Sequence, residues 1–169
     1  MVANFNVDLE FSKAQASQSW WIDVYTQAFP DLANITDVRW DTRLQFAGVD
    51  RLITTSSGRV WRVDEKVRRK DYGDILLEFI SNNKTNSPGW VVKSLECDFI
   101  AYAIEPTRRC FLLPVVPLQR AWRLYSKEWI LNYGVKYSEN AGYSTLNCPI
   151  PFKELMRKMS EALYFRWSK

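Results

Sequence analysis

Two aspartates and a lysine stand at a spacing that can do chemistry: Asp50, and further along the chain the triplet Asp64-Glu65-Lys66. The stretch from Val60 to Arg68 has the period of a strand, which puts Arg62, Asp64, Lys66 and Arg68 on one side and Trp61, Val63, Glu65 and Val67 on the other. Asp50 opens another β-prone stretch that the turn Ser56-Ser57-Gly58 can fold back beside it, bringing a second carboxylate to the Asp64/Lys66 pair. Two carboxylates on rigid strands make a hard-oxygen site suited to Mg²⁺ or Mn²⁺. Such a site lowers the pKa of bound water and offsets charge building on a phosphodiester, while Lys66 orients the attacking water. The same charges on a solvated edge strand would do no chemistry and would guard against aggregation.

The rest of the composition narrows the chemistry. The chain has 169 residues and no histidine, which excludes Ser-His-Asp and Cys-His nucleophile systems and imidazole acid-base catalysis. Three cysteines, Cys97, Cys110 and Cys148, lack CxxC spacing, so neither a disulfide framework nor a structural zinc site is expected. Reduced thiols in a cytoplasm are the expectation. The formal charge of +4 comes from one segment, Arg59 to Lys70, with six basic residues against two acids. Arg59, Arg62, Arg68, Arg69 and Lys70 bracket the acids, and such a concentration binds phosphate backbones by releasing counterions. Nucleic acid is the expected partner, against the alternative of a charged surface that only confers solubility. No apolar run is long enough to cross a bilayer, so no membrane is expected.

The elements that must position these residues fit one α+β (mixed α/β) domain spanning residues 1 to 169. Ser12 and Gln15 have capping-box spacing, and Trp21, Val24, Tyr25 and Ala28 recur at helical intervals, which predicts a helix over residues 12 to 29. Short strands are expected over 43 to 47, 50 to 55, 59 to 68, 75 to 80, 99 to 104 and 111 to 116, with a polar loop over 82 to 89. Leu118, Trp122, Tyr125 and Trp129 after Pro117, and Phe152, Leu155, Met159 and Leu163 after Pro151, predict two closing helices.

Gly48-Val49-Asp50 and Val63-Asp64-Glu65-Lys66 resemble the motif of the PD-(D/E)XK nuclease superfamily, an aspartate, a gap, then Asp/Glu-X-Lys on the next strand. Gln45, Asp74-Ile75-Leu76-Leu77-Glu78 and Pro88-Gly89-Trp90 are similar to uncharacterised members from bacteria and their phages, so the likeness spans residues 12 to 120. Val49 stands where the superfamily's name implies proline, and no long helix separates the motif strand from the next. The resemblance implies a restriction-endonuclease-like core, a central mixed β-sheet flanked by helices. It also implies Asp50 and Asp64 as metal ligands, Lys66 as the catalytic lysine, and Glu65 as a further metal contact through its backbone carbonyl. The implied activity is Mg²⁺- or Mn²⁺-dependent hydrolysis of DNA, ahead of RNA, in the cytoplasm or, for a phage-encoded chain, the host cytoplasm. Its rivals are a catalytically silent module of the same fold that binds nucleic acid or a protein partner, and a metal-free RNase. A second copy of the chain is an open partner.

Other residues carry less. Glu78 shares a strand face with Leu76 and Ile80 and needs a cation, either a metal or a neighbouring arginine. Gln119, Arg120, Arg123 and Lys127 fall on the polar side of their helix, which suits a solvated face better than a groove. Trp40, Trp90 and Tyr72 lie outside the apolar stripes, but nothing in the sequence orders them along a DNA strand.

Overall fold

A computed structural model describes residues 19–164. In chain order the elements are α1 (Trp20–Ala28), β1 (Leu32–Asp37), α2 (Thr42–Phe46), β2 (Arg51–Thr55), β3 (Val60–Arg68), β4 (Asp74–Asn82), β5 (Ser87–Pro88), β6 (Phe99–Ile104), a 3-10 turn (Glu105–Thr107), β7 (Arg109–Pro114), α3 (Val115–Tyr133), β8 (Lys136–Glu139), β9 (Ser144–Pro151) and α4 (Phe152–Ala162). The protein is α+β, with helices, a mixed sheet and a second sheet. The described chain forms two compact units, one from residues 19–71 and 94–115, the other from 72–93 and 116–164.

The first unit holds the five-stranded mixed sheet, in the order β1-β2-β3-β6-β7. β3 and β6 run parallel with Asp64 opposite Ile100 and Lys66 opposite Tyr102, and the other neighbours are antiparallel. The β2–β3 hairpin closes through Ser56-Ser57-Gly58, where Gly58 has φ +83°, a conformation that side chains resist. Alternation decides the faces. Ile53, Trp61, Val63 and Val67 meet Trp21 and Tyr25 of α1 and Phe29 at its C-cap, spaced four residues apart, together with Ala101 and Ala103. Burying each large side chain there stabilises the fold by about 1.5–3 kcal/mol. The opposite face of β3 carries Asp64 and Lys66.

Residues 43 to 47, expected as a strand, are instead the short helix α2 and its C-cap. The Asp41 carboxylate accepts from the Leu44 N–H at 3.0 Å, which satisfies one of the first-turn donors. Gly48 ends the turn at φ +72°, and a Cβ there would stand 2.6 Å from Leu95 Cδ2. Those two local signals outweigh the β propensity of so short a run. Only residues 20–28 of the expected first helix can be compared, since residues 12–18, with the Ser12/Gln15 box, lie outside the described residues.

The second unit holds the four-stranded sheet β5-β4-β9-β8 with α4 and most of α3. β8 and β9 occupy residues the sequence reading left without an element, and Ser87–Pro88 forms a short strand inside the expected polar loop. The strand expected over 111 to 116 stops at Pro114, because Val115 already begins α3. Phe79 stacks on Trp122 with ring centroids 5.4 Å apart, and Leu155, Met159 and Ala162 are buried on α4. Leu163, read as the last member of that stripe, is 52 % exposed, because Ala162 takes the inward position.

Candidate active site

Asp50 stands at the point where β2 begins. Its N–H donates to the Val63 carbonyl at 2.8 Å, and its carbonyl accepts from Val38 N–H at 3.0 Å, so the backbone is held from both sides. Its carboxylate then takes over the edge of β3 that β2 does not reach, with Oδ2 accepting from the Glu65 N–H at 2.8 Å. In a strand the N–H and C=O of one residue point to the same edge, so the Glu65 carbonyl faces this side as well. The Glu65 side chain is 2 % exposed while the residue as a whole is half-buried, so its accessible surface is main chain.

Asp64 is 4 % exposed. Lys66, two residues on and on the same face, donates from Nζ to Asp64 Oδ1 at 2.7 Å while its side chain keeps 34 % of its surface open. The Asp64 carboxyl is pushed up to about 7, chiefly by burial, with the Lys66 charge opposing the rise and the Asp50 carboxylate, within hydrogen-bonding reach, adding to it. Two carboxylates thus adjoin, and the one sealed from water, Asp64, has Lys66 as its bonded cation. The nearby Cys97 thiol is pushed up to about 12 by burial and by Asp64, which keeps it protonated and unreactive.

The sequence-derived residues thus divide. Asp50, Asp64, Lys66 and the Glu65 main chain come together. The Glu65 carboxylate points to the other face, where Oε1 accepts from Tyr25 Oη at 2.8 Å and Arg51 Nε at 3.0 Å. Burial raises the pKa of Glu65 and Arg51 opposes the rise. Arg51 reaches on to Asp37 at 2.7 Å, and Asp37 is also gripped by Arg39, which holds its carboxyl well below the usual range. This chain, buried from Tyr25 through Glu65 to Arg51 and opening to solvent at Asp37, was not singled out in the sequence, because Tyr25 reads as a core aromatic and Arg51 as one more surface cation. The alternation that turns Asp50 one way and Arg51 the other was its one available signal.

The basic segment is dispersed. Arg59 lies 4.0 Å over the Trp61 ring, and Arg62 pairs with Asp98 at 3.5 Å and Glu96 at 3.8 Å. Arg68 and Arg69 are half-buried at the end of β3, and Lys70 is exposed. Glu78 sits on β4 opposite Asn147, in the second unit.

Among the described residues no three side chains of His, Cys, Asp or Glu gather as a metal cage. The donors at hand are two carboxylates and one main-chain carbonyl, all oxygen. That set fits Mg²⁺ or Mn²⁺, which fill their remaining positions with water and phosphate oxygens, and it does not fit zinc. The mutual repulsion of Asp50 and Asp64, which helps raise the Asp64 pKa, is the feature a divalent cation would relieve. Comparison with protein-family models, with curated proteins and with solved structures finds no match for this chain.

Proposed function

We propose that this protein is a Mg²⁺- or Mn²⁺-dependent nuclease of the PD-(D/E)XK type that hydrolyses phosphodiester bonds in DNA. The observation that carries the reading is the buried Asp64, flanked by Asp50 and bonded to Lys66, beside the outward Glu65 main chain. Asp50, Asp64 and the Glu65 carbonyl would hold the cation, which supplies Lewis acidity toward a phosphate oxygen and toward water. Asp64 has to be ionised to serve, and its raised pKa makes that costly below neutrality. Lys66 offsets part of that cost. Its side chain is about a third open, and its ammonium would also orient a water and stabilise charge on the phosphorane as it forms. The Glu65–Tyr25–Arg51 network on the far face keeps β2 and β3 in register, so that Asp50 stays at the Glu65 N–H.

The test is incubation of purified protein with Mg²⁺ or Mn²⁺ and single-stranded, duplex and branched DNA, beside Asp64→Asn and Lys66→Ala. Cutting that needs the metal and is lost in both variants supports the enzyme. Binding without cutting, unchanged by either substitution, supports the silent module, and EDTA-resistant cutting of a single-stranded RNA assayed alongside supports a metal-free RNase-like site.

A further inference from the structure

The excursion that carries the chain from β1 to Asp50 exposes two large aromatic rings. Trp40 is 79 % exposed and Phe46 is 74 % exposed. Rings of this size are more often covered, and each one left in water forgoes the stabilisation of burial. Trp40 is also fixed in place. Its indole N–H donates to the Asp37 carbonyl at 3.0 Å, and Asp37 in turn is gripped by Arg39 and Arg51. Neither ring stacks on another aromatic side chain among the described residues.

Between them stands Arg43, exposed, one helical turn before Phe46 on α2 and in no ion pair among the described residues. The two acids of the segment are engaged elsewhere, Asp37 with Arg39 and Arg51, Asp41 with the N-terminus of α2. Along the chain these exposed side chains therefore run aromatic, cation, aromatic. The base of the segment is anchored on the candidate site itself, since the Val38 N–H donates to the Asp50 carbonyl and the Val49 N–H donates back to Leu44.

From this juxtaposition we infer that Trp40, Arg43 and Phe46 bind unpaired nucleotides adjoining the scissile phosphate, so that the substrate is single-stranded or frayed DNA. The inference rests on the nucleic-acid substrate proposed above and adds to it which structure is recognised. A base offers a flat π-face to an aromatic ring whatever its sequence, and the phosphate between two bases meets the guanidinium. A continuous duplex keeps its bases stacked on one another and cannot present them to Trp40.

The experiment measures binding in EDTA, where no cleavage occurs, by anisotropy of labelled oligo-dT and of a blunt hairpin duplex. Wild type is compared with Trp40→Ala, Trp40→Tyr and Phe46→Ala; both positions are exposed, and circular dichroism checks the fold. Stacking is worth enough that Trp40→Ala should weaken oligo-dT binding roughly 5- to 150-fold. Phe46→Ala should act in the same direction, Trp40→Tyr should keep most of the affinity, and the hairpin should change less than about 2-fold. Equal loss on both substrates, no loss on oligo-dT, or a Tyr variant as weak as the Ala variant overturns the inference. So does a wild type that binds neither DNA. Metal-dependent cleavage is assayed in parallel: cutting with Trp40 irrelevant sinks the stacking surface alone, whereas Trp40-dependent binding without cutting sinks the nuclease reading alone.

Discussion

Replacing Asp64 by Asn removes a buried charge and keeps the shape. In the metal-free protein the Asp64 carboxyl is raised from 3.8 to about 7, with burial as the main cause. The unfolded chain loses this proton near its ordinary value, whereas the folded chain keeps it until near neutrality. Stability is therefore undiminished below pH 4, falls as pH rises between about 4 and 7, and has lost its full share above 7. The gap amounts to an upper limit on the order of 4 kcal/mol. Asp64→Asn has no such proton, so urea unfolding in EDTA should show the variant gaining on the wild type by up to about 4 kcal/mol between pH 4.5 and 8. Mn²⁺ at a hundredfold excess over its dissociation constant should then stabilise the wild type by about 2.7 kcal/mol and leave the variant unchanged. Identical pH slopes in the two proteins, or equal stabilisation by Mn²⁺, would refute the reasoning.

Three further outcomes follow from the same geometry. Arg51→Met leaves Glu65 buried without its cation, and chemical denaturation at pH 7 should show a loss of about 3–5 kcal/mol, far more than removal of an exposed arginine. Lys66→Ala withdraws the charge that holds down the Asp64 pKa, so any residual metal-dependent cutting should need a higher pH than the wild type, read from the acidic limb of the rate profile. Asp41→Ala removes the side-chain cap of α2 and should cost about 0.5–2 kcal/mol in thermal unfolding, with the far-UV spectrum little changed because α2 is only five residues long.

Much of the scaffold was legible from local pattern. The period-two run from Val60 to Arg68 and the Ser56-Ser57-Gly58 turn specify a hairpin whatever surrounds it, and the resulting strand is β3. Alternation alone then puts Asp64 and Lys66 on one face and Glu65 on the other. The helical spacing of Trp21, Val24 and Tyr25 likewise specifies which side of α1 faces the core, whereas Ala28, read as part of the same stripe, is exposed. These are properties of neighbours in the chain, and short-range geometry settles them. The strand expected over 43 to 47 failed for a local reason as well, because the Asp41 cap and Gly48 carry more information than the residues between them.

Tertiary structure decided what depends on residues distant in the chain. That β6 lies parallel to β3, that Asp64 is nearly sealed from solvent, and that Arg51 and Tyr25 converge on Glu65 from 14 and 40 residues away all require contacts between residues well separated in the chain. The pairing of Arg62 with Asp98 has the same origin, whereas Arg59 laid on Trp61 is a contact between near neighbours in the chain. Sequence can name the groups that ionise and the face each one takes. Whether a charge meets water, a lysine or another carboxylate is set by burial and distance, and those exist only once the sheet has closed.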